Sequence, residues 1–526
     1  MPDAVHAPLQ EVLDMTTETP RVPSAPDTAA APCAAAEELR ETTPEELDAV
    51  LERAAAAAPL YAALPAADRA RALRTVADAL DGAADRLVPV AMAEAHYPEA
   101  RCRGELGRTT FQLRLFADVL EEGEYLEAMI DPADPDWGTP RPDVRRLLVP
   151  LGPVVVFGAS NFPFAFSTAG GDTASALAAG CPVVVKAHPG HPELARLTAE
   201  LVVAALSDAG APEGVFALVS GFEAGKRAVT HPLTRAVGFT GSIPGGRALY
   251  DLAVSRPEPI PFYGELGSVN PVFVTRAAMS ARGGQILEGY AGSATMGSGQ
   301  FCTKPGVVFV PEGAELDALV ADFEGRAAAP LLNDRVGEGF VRGLEALSAH
   351  PATEVLVRGR QIVEGVEGAE GWSPSLLRTD LDSLLEHSED LLAECFGPAA
   401  LVVSYPDERR LLEVGGVLHG QLTVTVHGEE EDPMAPALLA LGASVAGRVI
   451  WNGWPTGVAV THAMTHGGPY PATTAPLHTS VGTTAIRRFL RPVTYQSVPQ
   501  PLLPPELRDG NPLAVPRRVN GGLPSE

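Results

Sequence analysis

Short apolar runs rich in valine recur between positions 144 and 451, and helix-length amphipathic segments separate them. In the first half they lie at 148–150, 154–157, 183–185, 215–219 and 236–239, with helical stretches at 164–179, 192–209, 223–230 and 243–253 between them. Runs this short and this uniformly apolar are strands buried on both faces, and helices between successive strands make the pairing parallel. The expected fold class is therefore α/β, with an open, doubly wound sheet carrying helices on both faces. A second alternating block has runs at 271–274, 307–310, 400–403, 422–426 and 448–451, and the stiff segment Pro257-Glu-Pro-Ile-Pro261 separates the two. Ligands of such sheets sit outside the carboxyl ends of the strands. Asn161, Lys186 and Gly241 each fall just after an expected strand.

The flanks read differently. Residues 1–36 are rich in Pro, Ala and Thr without periodic apolar pattern, so a mobile leader is expected. Structure begins with Thr43-Pro-Glu-Glu46, a capping box with proline at the first helical position, and helical patterns continue through 69–93 and 105–120. Residues 491–498 look like a late strand placed to pair with a subunit neighbour, followed by a proline-rich extension.

Bulk properties exclude several classes of function. A chain of 526 residues, 46% of them hydrophobic, has core enough for two or three domains. Its 66 acidic against 39 basic side chains give a net charge of −27, so nucleic acid and anionic membranes are not expected partners. No basic stretch followed by an apolar one opens the chain, and no later apolar run is long enough to span a bilayer, so a cytoplasmic location is expected. Cys33, Cys102, Cys181, Cys302 and Cys395 are scattered, and His427, His462, His466 and His478 are too widely spaced for a ligand set, so neither disulfides nor a metal are expected.

Cys302 stands out among the cysteines because it lies in Gly297-Ser-Gly-Gln-Phe-Cys-Thr303, among small residues that let a substrate approach. A lone cysteine is usually a small buried hydrophobe; one in a polar, partly open site is a nucleophile. The residues around it carry the same two readings. Lys186 ending Val-Val-Val is either a snorkelling strand end or a cationic donor at the ligand crevice. Gly241-Ser242 with Gly245-Gly246 is either a tight turn or a helix N-terminus that receives a phosphate. Asn161 caps a helix or donates to a developing oxyanion. Glu265, flanked by Gly264 and Leu266-Gly267, is a turn carboxylate or a general base whose apolar surroundings raise its pKa.

Together these supply a thiol, an oxyanion donor, a base and a dinucleotide crevice. A thiolate adding to an aldehyde makes an alkoxide that collapses only by losing hydride, for which a nicotinamide is the natural acceptor. The thioester left behind needs water activated by a base.

The ordered motifs Ala159-Ser-Asn-Phe-Pro-Phe164, Val184-Val-Lys-Ala187, Phe239-Thr-Gly-Ser242, Glu265-Leu-Gly267, Gly299-Gln-Phe-Cys302 and Glu394-Cys-Phe-Gly-Pro398 make the chain resemble the aldehyde dehydrogenase superfamily from about residue 37 to 500. The resemblance implies Cys302 as nucleophile, Glu265 as base, and Asn161 with the Cys302 amide as oxyanion hole. It also implies a cofactor site in which Lys186 and Glu394 hold the two riboses, Gly241 and Ser242 lie at the pyrophosphate, and Ser160, His188, Gly246, Leu266 and Phe396 line the remainder. Its domains imply NAD(P) binding by 37–130 and 150–263, catalysis by 264–489, a β extension for oligomerisation from 131–149 and 490–510, and a tail at 511–526. A homodimer or homotetramer follows from the same resemblance. Pro455-Thr-Gly-Val458, His462-Ala-Met464, His466-Gly-Gly-Pro-Tyr-Pro-Ala-Thr473 and Ser480-Val-Gly482 are similar to the branch of 2,5-dioxopentanoate dehydrogenases, with NADP-dependent fatty aldehyde dehydrogenases as the alternative. Ser268 departs from the Glu-Leu-Gly-Gly of the wider superfamily but agrees with that branch. NADP is the expected cofactor over NAD, because Pro189 stands where NAD-preferring relatives carry a glutamate, and Lys186, with Lys226 or Arg227, would neutralise the added phosphate. The expected partner is a small aldehyde. Transfer of the acyl group to coenzyme A, and a binding role on an inactive scaffold, are the competing functions.

Overall fold

A computed structural model describes residues 39–362 and 371–522; the expected leader lies outside these. Thr43 caps the first helix, α1 (Pro44–Ala62), through the capping box read from the sequence, its side chain accepting from Glu46 N while Glu46 reaches back to Thr43 N. Helices α2 (Ala66–Gly82), α3 (Ala84–Ala95) and α4 (Glu99–Glu122) follow.

A four-stranded sheet then begins with β1 (Ala128–Asp131) and β2 (Val144–Pro150) and is completed by β18 (Leu490–Gln496) and β19 (Arg517–Val519), in the order β18-β2-β1-β19. The late strand β18 thus pairs antiparallel with β2 of its own chain, Leu490 facing Pro150 and Gln496 facing Val144. Its other edge has no partner strand among the described residues.

Four of the five runs expected in the first half form a five-stranded, all-parallel sheet of β3 (Val154–Phe157), β4 (Val183–Lys186), β5 (Phe216–Val219), β6 (Ala236–Thr240) and β7 (Phe262–Glu265), ordered β5-β4-β3-β6-β7; the run at 148–150 belongs instead to β2, and β7, beyond the proline-rich break, takes the fifth place. Its crossovers carry α5 (Gly171–Ala179), α6 (Pro192–Asp208), α7 (Phe222–Thr230) and α8 (Ile243–Val254). Val154, Val156, Val183 and Val185 pack into one apolar cluster and Val155, Phe157, Val184 and Val237 into another, which is why each strand is apolar without interruption. The strand order reverses between β3 and β6, and sheets of this kind take ligands outside the carboxyl ends of the strands at that point. The border expected at 263/264 falls inside β7, so Glu265 ends the last strand of this first sheet.

The second block is a seven-stranded sheet ordered β11-β14-β15-β9-β8-β16-β17. It comprises β8 (Val272–Val274), β9 (Val307–Pro311), β11 (Glu354–Val357), β14 (Ser375–Asp380), β15 (Ala399–Tyr405), β16 (Gln421–His427) and β17 (Ala446–Trp451), parallel except for β11. A small sheet of β10 (Ala329–Pro330), β12 (Gln361–Ile362) and β13 (Gly371–Trp372) sits beside it. Helices α9 (Arg276–Thr295), α10 (Asp317–Gly325) and α11 (Asp334–Ala349) belong to this half. No helix among the described residues is long and apolar enough to cross a membrane.

Candidate active site

The turn after β3 carries Asn161, and α4 shapes it. Glu105, buried on α4, accepts from Phe164 N at 2.8 Å and Ala165 N at 3.1 Å, while Tyr97 Oη and Arg101 Nη2 donate to Asn161 O at 3.2 and 3.0 Å. With those amides held by a carboxylate and Gly171 N donating to Ala165 O, the helix expected from 164 starts only at Gly171. Asn161 Nδ2 gives one hydrogen to Gln300 O at 3.1 Å, tying this turn to the cysteine loop and leaving its second hydrogen for another acceptor.

That loop is the end of α9 drawn into a tight turn. Gly297, Ser298 and Gly299 all take left-handed φ values of 56, 56 and 64°, and a Cβ on Gly299 would stand 2.2 Å from Gly397 O. Asn270 Nδ2 donates to Cys302 O and Lys304 O, each at 2.9 Å, and Gln421 Oε1 accepts from Val269 N and Asn270 N. The Ser268 hydroxyl joins the same network through Asn270 Oδ1 and Gln421 Oε1, both at 2.9 Å. Ser268 therefore bolts the segment after Glu265 to β16 and leaves the carboxylate itself untouched.

Cys302 Sγ lies 3.5 Å from His466 Nε2, and that nitrogen lies 2.9 Å from Glu265 Oε1. The donor atoms of the three residues fall within 4.8 Å of one another. The imidazole nitrogen is aligned on the sulfur, so Glu265 Oε1 meets it by proximity and charge without an aligned hydrogen bond, whereas Ser480 Oγ donates to Glu265 Oε2 at 2.5 Å. His466 is fixed by Thr479 Oγ1, which accepts from its amide at 2.8 Å, and by Ser480 N, which donates to its carbonyl at 2.9 Å. Cysteine, histidine and carboxylate are also donor types that zinc takes, so residues too scattered along the sequence to be expected as a ligand set do come within reach of one another.

Electrostatics differ from the expectation. Burial pushes the Glu265 carboxyl up, but the electrostatic pull of the adjacent His466, with Ser480 and Cys302, outweighs it and the net shift is downward. Glu265 is thus a carboxylate near neutrality rather than the carboxyl of raised pKa expected from its apolar flanks, because His466, 201 positions further along the chain, folds against it. Cys302 moves the other way: burial and then the neighbouring Glu265 charge hold its thiol well above the ordinary cysteine value. At rest the sulfur keeps its proton, with two acceptors in reach.

The residues expected at the cofactor stand at or after the carboxyl ends of β3, β4, β6 and β7 and, for Glu394 and Phe396, on a loop of the second half. Lys186 ends β4, its ammonium 5.0 Å from the Phe222 ring and without a hydrogen-bonded partner among the described residues; burial and then Arg335 pull its pKa down to about 8. Ser242 caps α8, accepting from Gly245 N at 3.3 Å. A Cβ on Gly246 would stand 2.2 Å from Leu266 Cδ2, so glycine keeps the start of α8 flat against Leu266. Glu394 Oε2 would be 2.3 Å from a Cβ on Gly267, which brings the second half's carboxylate against the segment after Glu265. Burial pushes Glu394 up to about 7, against the opposing pull of Lys304 and the Ser268 amide. Phe396 follows on the same loop, half-buried, and Ser160, half-buried, stands in the turn before Asn161. His188 Nδ1 accepts from Gly190 N at 3.0 Å, and burial with His191 holds the ring far below the usual histidine range. An unpartnered ammonium, a glycine-opened helix start and a half-buried carboxyl group are the kinds of contact a dinucleotide takes. Lys226 and Arg227 are otherwise engaged, by Glu223 at 2.7 Å and Asp48 at 2.7 Å. The cation beside Lys186 is Arg335 of α11, 5.3 Å from the same Phe222 ring.

A thiol beside an imidazole and a carboxylate, with an unpartnered ammonium nearby, is the kind of site a dinucleotide-dependent oxidoreductase needs, and the comparisons with known proteins place the chain in that class. Residues 28–342 match the model of the aldehyde dehydrogenase family. The chain is 44% identical over 489 residues to an alpha-ketoglutaric semialdehyde dehydrogenase of Acinetobacter baylyi, covering 92% of each chain. It is also 44% identical to alpha-ketoglutaric semialdehyde dehydrogenase 2 of Azospirillum brasilense, over 90% of this chain and 91% of that one. Among solved structures, glyceraldehyde-3-phosphate dehydrogenase of Methanocaldococcus jannaschii, complexed with NADP, superposes with a TM-score of 0.73 at 18% identity, over 87% of this chain and 95% of that one. Aldehyde dehydrogenase 21 of Physcomitrella patens, in complex with succinate, does so with 0.71 at 21% identity, over 86% and 91%. The chain belongs to the aldehyde dehydrogenase family, whose members oxidise aldehydes with NAD(P).

Sequence reasoning missed four residues of this region. His466 sits in a Gly/Pro-rich stretch where no periodicity marks it, although its place in a branch motif was a usable signal. Ser480 lies in a loop of the same kind. Arg108 and Arg335 look like ordinary helix-surface arginines in sequence.

Proposed function

We propose that this enzyme oxidises 2,5-dioxopentanoate to 2-oxoglutarate, with NADP preferred to NAD. The observation that carries the chemistry is the grouping of Cys302, His466 and Glu265 within 4.8 Å; the 44% identity to two alpha-ketoglutaric semialdehyde dehydrogenases supports the substrate.

The thiol of Cys302 passes its proton to His466 Nε2 as the sulfur adds to the aldehyde carbon. Glu265, kept ionised, balances the charge that arrives on the ring. The alkoxide formed on the substrate takes the free hydrogen of Asn161 Nδ2 and the Cys302 amide, which donates to no group among the described residues. Bound NAD(P) supplies the hydride acceptor. Glu265 then withdraws a proton from the water that cleaves the thioester on Cys302, and the thiol is restored. Lys186 and Glu394 hold the riboses, Ser242 and Gly246 admit the pyrophosphate, and Lys186 with Arg335 faces the additional phosphate of NADP.

A second reading, oxidation of aliphatic aldehydes, rests on the apolar cluster of Phe162, Phe166, Phe301 and Val481, with Val458 and Met464 against it. The edge of β18 that has no partner strand among the described residues also suits pairing with a second copy, consistent with a homo-oligomer in the cytoplasm.

The test is an aldehyde panel with both cofactors. Highest kcat/KM is expected for 2,5-dioxopentanoate with NADP, no turnover in Cys302→Ala, and an accumulated acyl-enzyme by intact mass in Glu265→Gln. A preference for unbranched aliphatic aldehydes would transfer the assignment to the second reading, and release of an acyl-CoA when coenzyme A is supplied would overturn hydrolysis.

A further inference from the structure

We propose that Arg108 of α4 is the specificity-determining residue, recognising the carboxylate at the far end of the substrate. This deepens the reading of a carboxylated aldehyde given above and rests on it.

The Arg108 Nε and Nη2 atoms are buried, and neither meets a hydrogen-bond acceptor among the described residues. A buried guanidinium with two donors unanswered is costly, and a ligand that supplies two acceptor oxygens removes that cost. Its position is the second observation. The Arg108 Cζ lies 5.5 Å from the Phe166 ring centre and 5.9 Å from that of Phe162. Phe166 in turn stands edge-on to His466, 6.2 Å between rings, and His466 Nε2 is 3.5 Å from Cys302 Sγ. Arg108 is therefore one aromatic ring away from the reacting sulfur, on the side where the apolar cluster lies.

The other charged groups that act on it are Glu105, Cys302 and Glu265. Glu105 is occupied by the amides of Phe164 and Ala165 and gives Arg108 no hydrogen bond. Arg448 also senses the charge at Cys302, but Gly457 O and Pro455 O already engage its guanidinium and leave only Nε free. Arg108 alone of the two offers paired donors. In 2,5-dioxopentanoate a short chain separates aldehyde from carboxylate, so a cation must stand close to the nucleophile, with apolar walls for the methylenes between. Phe162 and Phe166 provide such walls, and Arg108 stands over them.

The experiment compares kcat/KM for 2,5-dioxopentanoate with that for pentanal, which lacks the carboxylate, in wild type, Arg108→Gln and Arg108→Lys. The ratio of the two constants is expected to fall about 100-fold in Arg108→Gln and less in Arg108→Lys, which keeps the charge but loses the fork. The wild-type enzyme is tested without any variant by inhibition of pentanal oxidation: pentanoate is expected to compete at least tenfold more strongly than pentan-1-ol. A ratio within threefold of wild type in both variants, or equal inhibition by pentanoate and pentan-1-ol, overturns the assignment of Arg108. A wild type that favours pentanal from the outset overturns the substrate reading instead, so the two failures are distinguishable.

Discussion

The Glu265 carboxylate and the His466 imidazole stand 2.9 Å apart, and both face the same sulfur. The pair reverses what burial alone would do, since burial raises the carboxyl and His466 brings it below its ordinary value. Removing the ring leaves burial in control. In His466→Ala the Glu265 carboxyl therefore takes up its proton at a higher pH than in wild type, and the acid limb of kcat against pH moves upward. Decay of the acyl-enzyme, the step for which Glu265 is the base, should therefore fail at a higher pH in the variant than in wild type as pH is lowered. An acid limb in the same place in both enzymes would sink the relay.

The same arrangement makes a chemical statement about Cys302. Its thiol is held up by burial first and by the Glu265 charge second, so the resting enzyme is a poor target for alkylation at neutral pH. Neutralising that charge without changing shape, in Glu265→Gln, lowers the thiol pKa and raises its thiolate fraction. Alkylation by iodoacetamide at pH 7 is expected to run faster in Glu265→Gln than in wild type. A slower reaction would mean that Glu265 acts on the free thiol mainly as its base.

Sequence patterns carried much of the fold but only part of the site, for identifiable reasons. Strands such as 154–157 and 183–186 are apolar on both faces because both faces are covered, so they can be read without their neighbours. Asn161 and Gly241 follow β3 and β6 and Lys186 ends β4, where topology alone directs attention, whereas Glu265 ends β7, a strand whose Phe-Tyr-Gly-Glu pattern does not announce itself. His466 and Arg108 obey no such rule. One sits in a loop whose position depends on Thr479 and Ser480, the other on a helix whose apolar face says nothing about which arginine is left unpaired. The misplaced start of α5 has a similar cause, since the amides that would have continued a helix are taken by Glu105 from a distant helix.

The charge at Phe222 offers a cofactor test. Lys186 and Arg335 lie 5.0 and 5.3 Å from that ring, and both are expected to face the phosphate that distinguishes NADP from NAD. Arg335→Gln should weaken NADP binding by about tenfold, a loss of about 1.4 kcal/mol, and change NAD binding little. Titration calorimetry with each cofactor measures this directly. Equal losses for the two cofactors would place Arg335 outside the phosphate site.

Lys304 links stability to Glu394. Buried two residues beyond Cys302, its ammonium donates to the carbonyls of Cys395, Gly397 and Ala399 at 2.5, 3.0 and 3.0 Å, which fixes the loop that begins with Glu394. In Lys304→Met three carbonyls lose their donor while a buried charge is relieved, and the two effects oppose each other. Because unanswered carbonyls cost about 1–3 kcal/mol apiece, the net destabilisation should be about 2–4 kcal/mol by denaturant unfolding. The variant also removes the positive neighbour that restrains Glu394, so that carboxyl, already near 7, moves further up and is largely protonated at neutral pH. Cofactor affinity at pH 7 is then expected to drop and to recover as pH rises and Glu394 ionises. A Lys304→Met enzyme as stable as wild type, with cofactor affinity flat between pH 7 and 9, would show that Lys304 does not hold the Glu394 loop.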